Sequence, residues 1–333
     1  MHRSDAPPRV PQPDDAFAGA SPQAGFPEAP TYFDRPLLKA PHWGWNVVAY
    51  LFVGGITGGL GIVAAVARGD RAEDLRLRRA ARFAGLALAS ASPILLISHL
   101  GRPERFLNML RIVKFKSPMS MGVWGLLLYS GTAAGSVARE LIDDGTLSRR
   151  LDRFVPPSGV LLQALLGCFM SGYTGVLLSA TAIPLWGAGK RHIPAASVCS
   201  SVAGACAIAS LYSALEGNMA VIGRLERLEA VASVVEMAVL GDFRRISGAY
   251  GAPMYDGPRG RRFRNVTLYG GILIPGALSI LGGLFDLPPR AQKWRTIVSS
   301  LLTLAGGYVL RETLIEAGKE SAANPHAAFR QPQ

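Results

Sequence analysis

Eight apolar stretches recur along the chain, near 43–67, 80–100, 120–141, 158–183, 193–215, 223–241, 265–286 and 295–316. Each approaches the roughly 20 residues that a helix needs to cross the hydrocarbon core of a bilayer. Hydrocarbon offers backbone amides no water, so each crossing segment must satisfy its N–H and C=O groups internally. The repeated length therefore predicts an all-α integral membrane protein with about eight transmembrane helices in two four-helix bundles. Hydrophobic residues make up 49% of the chain and charged residues only 17%, too apolar a mix for an ordinary soluble domain of this size. The sixth stretch, "GRLERLEAVASVVEMAVLG", is the most polar and also fits a helix lying at the interface. Its residues Glu226, Glu229, Ser233 and Glu236 share one helical face that can turn into a bundle, so a span is expected here too.

Residues 1–40 differ in kind. They are rich in Pro and Ala, lack the basic-then-apolar order of a secretion signal, and read as an extended tail. The end of this tail, "TYFDRPLLKAPHW", carries anchors such as Tyr32 and Leu38 that a purely solvated linker does not need. A membrane domain over 41–318 follows, divisible into 41–186 and 193–318, and then a short tail over 319–333. The net charge is +12. It is spread over the loops on both sides, so it neither fixes the orientation nor marks a nucleic-acid surface. A basic loop on the translocated side would suit an acidic or redox partner.

Cysteine and histidine restrict the chemistry. Cys168, Cys199 and Cys206 lie within expected spans and lack metal-binding spacing, so no iron-sulfur cluster or zinc site is expected in this chain. Only His99 lies near the depth of a span, so the facing histidine pair of a membrane haem is not expected either.

Polar and aromatic groups placed on apolar helices remain. "PHWGWNVVAYLFVGGITGG" puts Trp43, Trp45, Asn46 and Tyr50 on the first turns of the first span, suiting either an interfacial belt or the wall of a site. "SHLGRPERFLNML" ends the second span at His99 and presents Arg102 and Arg105 at the surface. "GCFMSGYTGVLLSATAIPLW" sets Tyr173 between Gly172 and Gly175, where a helix or a flat ligand can approach. In the second half, Glu236 and Arg311 fall at matching depths and are expected to pair, since an isolated charge there costs roughly 2.5–3.5 kcal/mol.

The segments "TYFDRPLLKAPHWGWNVVAYLFVGGITGG", "HLGRPERFLNMLRIVKFKSPMSMGVW", "YTGVLLSATAIPLW" and "GGYVLRETLIEAGKESAANP" together resemble the NrfD family, the membrane subunits typified by polysulfide reductase. The resemblance implies a haem-free, eight-span subunit of a respiratory oxidoreductase complex in the bacterial inner membrane. Such a subunit binds menaquinone or ubiquinone and exchanges electrons with a ferredoxin-like iron-sulfur partner, itself attached to a molybdopterin or other redox subunit. It also implies that the quinone lies in the first half, 41–186, contacted by an Asn and a His of span one and a Tyr of span four. Tyr173 matches that Tyr, whereas Tyr50 stands where the family has its His, and the family Asn falls at Val47, next to Asn46. A tyrosine at position 50 can donate to a quinone oxygen but is a poor proton carrier at neutral pH. That leaves His99 or a carboxylate such as Glu236 to move protons.

With eight spans, the start of the first and the ends of the second and fourth emerge on one face. Asn46, Tyr50, His99 and Tyr173, with Trp43, can therefore gather there as a quinone site. Tyr32, Lys39, Arg102 and Arg105 are expected on the same face to meet the iron-sulfur partner. A secondary transporter, with paired charges around a midplane site, and a purely structural anchor for soluble redox subunits are the alternatives.

Overall fold

The computed structural model describes residues 38–324, except residues 68, 101, 156–158 and 286 and the side chain of Arg105. The described residues hold eight long helical stretches and no strand. They are α1 Trp45–Val66, α2 Ala72–Ser98, α3 Pro118–Asp143, α4 Val160–Ser179, α5 His192–Leu215, α6 Ile222–Ser247, α7 Gly257–Leu284 and α8 Pro289–Ala323. Five of them, α1, α2, α4, α5 and α7, are long and apolar enough to cross a membrane by length and composition alone. The other three carry more polar and charged residues, whose partners lie on neighbouring helices.

Local chemistry accounts for several helix ends. Pro118 and Pro289 open α3 and α8, where a missing N–H costs nothing. Ser117 caps α3 by accepting from the Ser120 amide at 3.4 Å. Glu73 and Asp74 sit in the first turn of α2, and Arg244 and Arg245 in the last turn of α6, each on the favourable end of the helix dipole. Gly248 stops α6 with φ at +47°, a conformation that side chains with a Cβ rarely adopt.

Helix α1 is the hub, packing against α2, α4, α5 and α8. Its glycines make this possible. A methyl at Gly58 would strike the Gly167 carbonyl and Ser171 on α4, and one at Gly59 would strike Ser201 and Ala205 on α5. Without a hydrophobic drive between helices in lipid, such close approach is what holds a bundle together. The glycines of "GGITGG" therefore serve helix packing.

Two helices extend beyond their apolar runs because partners pair their charges. Helix α2 begins at Ala72, well before residue 80, with Asp74 in its first turn paired with Arg224 of α6. Helix α8 continues to Ala323, where Arg259 reaches Glu320 at 2.5 Å and the Leu185 amide donates to Ser321 Oγ at 3.2 Å.

The sixth stretch packs extensively along α5 and buries Glu229, Ser233 and Glu236. In α7, residues Phe263–Leu273 form wide π-helical turns. There Gly271 lies directly against Gly306 of α8, and Thr267 Oγ1 donates to the Gly306 carbonyl at 3.0 Å. The short helix Pro184–Ala188 carries Trp186, fully buried, with its indole N–H on the Leu314 carbonyl at 2.8 Å.

Candidate functional site

The start of α1 and the end of α2 meet on the N-terminal face. Asn46 Nδ2 reaches Ser98 Oγ at 3.5 Å, a long contact, while its Oδ1 accepts from the Val47 amide at 3.1 Å. His99 follows Ser98 as the C-cap of α2 and is half-buried. One turn deeper on α1, Tyr50 is buried.

Tyr173 comes to the same region from α4. Its ring lies on Gly122 of α3, where any Cβ would overlap the phenol, and it stacks on Phe169 with centroids 5.7 Å apart at 24°. Tyr50 is near enough for the two phenols to interact electrostatically. Both side chains are at most 5% exposed.

Tyr173 forms part of the wall of a cleft of about 410 Å³ between α3 and α4, within the range of pockets that hold small organic ligands. The cleft is mainly apolar, walled by Phe115, Met121, Phe169 and Val176, with Lys116 at one edge. Phe115 is 81% exposed, so the cleft opens outward from the bundle. Cys168, an exposed free thiol, also lines it.

The expected residues divide between several places. Tyr50 and Tyr173 come together, and Asn46 and His99 share the adjoining junction of α1 and α2. Trp43 turns elsewhere and stacks on Trp186, with centroids 5.3 Å apart at 16°. Trp186 closes the first half and bonds to the Leu314 carbonyl of α8, so the stack ties the start of α1 to α8 through it. Lys39 and Arg102 are exposed, whereas Tyr32 and the Arg105 side chain lie outside the described residues. Glu236 is buried on α6, away from the cleft lining.

The expected direct pair of Glu236 with Arg311 is not formed. Arg311 Nη1 donates to Ser200 Oγ at 2.8 Å and to the Gly307 carbonyl at 2.9 Å, and Nη2 donates to Ser201 Oγ at 3.0 Å. The matching depths brought the two residues close enough to interact electrostatically, but α5 packs against both α6 and α8 and its serines take up the guanidinium. Sequence reading missed Ser200, Ser201, Gly122 and Phe169. The run "SVCSSVAG" on an apolar helix was the available signal for the serines.

An all-helical bundle with five helices long and apolar enough to cross a membrane defines a multi-pass membrane protein. The model of the family described as "Polysulphide reductase, NrfD" matches residues 38–321, and the chain belongs to that family. Protein NrfD of Escherichia coli (strain K12) is a curated relative, 28% identical over 158 residues. That match takes in 41% of this chain and 49% of the relative, so the chain spans about half the length of the curated protein it matches. Among the described residues no cluster of His, Cys, Asp or Glu could hold a metal ion.

Proposed function

We propose that the chain is the quinone-reactive membrane subunit of a respiratory oxidoreductase complex in the bacterial inner membrane. The observation that supports it is the pair of buried tyrosines, Tyr50 and Tyr173, beside an apolar cleft that opens outward from the bundle. A quinone head is a flat apolar ring with two carbonyl oxygens. It needs aromatic walls, donors at those oxygens and an entry from the bilayer. Phe169 and Phe115 supply the walls, Tyr173 a donor at the inner end, and the outward mouth the entry.

A quinone supplies two-electron chemistry coupled to the uptake or release of two protons. The residues of this chain would orient it and handle the protons. Tyr173, rigid against Gly122 and Phe169, offers its hydroxyl proton as a hydrogen bond in a dry setting, where such a bond is strong. Tyr50 stands close behind it, and His99 at the adjoining helix end can exchange protons with water at the membrane surface. Having no metal cluster of its own on this reading, the chain passes electrons to an iron-sulfur partner, itself joined to a molybdopterin or other redox subunit. Lys39 and Arg102, exposed on the face nearest the tyrosines, are the docking charges we assign, with Tyr32 and Arg105 from the same segments.

Quinol turnover by the complex tests the reading. Tyr173→Phe removes one donor and keeps the ring, so turnover should fall by roughly ten- to a hundredfold with assembly intact. Unchanged turnover in the Tyr50→Phe/Tyr173→Phe double variant would remove the tyrosines from the site.

A further inference from the structure

The corner where α6 ends and α7 begins, on the N-terminal face, concentrates arginine: Arg244, Arg245, Arg259, Arg261, Arg262 and Arg264 fall in one short stretch of chain. Two of them are paired, Arg259 with Glu320 and Arg262 with Glu312 at 2.8 Å, both partners lying on α8. Among the described residues no carboxylate meets Arg244 or Arg264, and both side chains are exposed. Arg244 lies over the ring of Tyr255, in the turn between the helices, at 5.4 Å from its centroid. That contact steadies the guanidinium and uses none of its N–H donors.

Beneath the two arginines the seam between the helices is open and apolar. A cavity of about 140 Å³ lies there, lined by Met237, Leu240 and Gly241 of α6 and Leu268 of α7, with Arg244 and Arg264 on its wall. Met237, Leu240, Gly241 and Arg244 recur at spacings of three, one and three residues, which sets all four on one face of α6. Arg264 and Leu268 are about one turn apart on α7. Because α6 runs toward this face and α7 away from it, each arginine stands at the surface end of its helix and each leucine deeper. Arg244 follows the apolar run that ends near 241, and Arg264 precedes the one that begins near 265. Both charges therefore sit at headgroup depth. Gly241 faces open space, since a Cβ there would meet nothing within 4 Å.

We propose that this seam binds one anionic phospholipid, its phosphate held by Arg244 and Arg264 and one acyl chain lying along Gly241, Leu240 and Leu268. Two cations without an acid between them call for an anion, and a guanidinium presents paired N–H donors that match phosphate oxygens. A lipid offers that anion joined to the chain that covers the apolar floor below it, and basic pockets between spanning helices recognise headgroups in this way. The cavity is smaller than the roughly 300–1,000 Å³ of sites that enclose ring-bearing ligands, whereas a single chain lying lengthwise needs only a groove. The site is independent of the quinone reading, whose cleft lies between α3 and α4 in the other half.

Native mass spectrometry of the full chain, released from micelles carrying equal amounts of phosphatidylglycerol and phosphatidylcholine, tests it. One phosphatidylglycerol should stay bound in preference to phosphatidylcholine, and excess inorganic phosphate should leave it in place. Arg244→Gln/Arg264→Gln should weaken its retention roughly thirtyfold, about fivefold for each headgroup contact. Gly241→Leu keeps both arginines and adds a side chain where the groove is open, so it should expel the lipid to a similar degree. Equal retention of the two lipids, or retention unchanged in either variant, overturns the proposal. Displacement by inorganic phosphate would make the corner a surface anion contact, and loss of a co-purifying protein without any loss of lipid in the arginine variant would make it a protein contact; either result overturns the lipid site. Gly241→Leu carries the test if the arginine variant fails to fold.

Discussion

Tyr173 owes its position to what is missing beneath it. Gly122 provides a flat floor for the phenol, and a single methyl there would occupy the space of the ring. Gly122→Ala should therefore displace Tyr173 and cost about 1–3 kcal/mol, the usual penalty for overpacking. Tyr173→Ala in the same chain should relieve much of that loss. Thermal unfolding in detergent reads both, and equal destabilisation with and without the tyrosine would mean the ring does not rest on Gly122. The tyrosine itself was legible from its glycine-flanked place on an apolar helix. Its floor was not, since Gly122 and Tyr173 meet only when α3 packs on α4. Trp43 shows the same limit from the other side. Its aromatic character suited a quinone wall, yet its ring found Trp186, a residue whose burial depends on the far end of α8.

Among the elements, α7 departs furthest from a regular helix. Its π-helical turns bring Gly271 against Gly306, while Gly276, a few residues on, faces open space. Gly271→Ala should force α7 from α8 and destabilise the protein, whereas Gly276→Ala should be neutral or stabilise it by up to about 1 kcal/mol through helix propensity. A melting comparison of the two variants checks this, and equal shifts would contradict the close packing. Helix positions were readable because bilayer thickness imposes a length on every span. The extended starts and ends of α2 and α8 were not. Residues such as Asp74 and Glu320 look like loop material until Arg224 and Arg259 appear opposite them. Glu236 and Arg311 fall between these cases, because depth could be counted along each helix but the serines of α5 that take up the guanidinium could not.

At the scale of the whole molecule, α1 joins two polar systems, with the tyrosine pair toward one side and the Arg311 cluster toward the other. The N-terminal approach to α1 is also part of the proposed docking face. Leu38 and Ala40 pack against the hydrophobic core, and Lys39 between them is exposed. Removing residues 1–30 should leave co-purification of an iron-sulfur partner intact, and removing residues 1–40 should abolish it while the membrane domain still elutes as a folded species. Retention of the partner by both truncations would assign docking to other loops.

The central claim is that a quinone head occupies the cleft beside Tyr173, and photolabelling with an azidoquinone in native membranes tests it most directly. The account predicts saturable labelling, displaced by excess unlabelled quinone, on peptides from Val160–Ser179 or from residues 115–121, and greatly weakened in Tyr50→Phe/Tyr173→Phe. Saturable labelling confined to α5 through α8, or equal labelling of wild type and the double variant, would contradict it.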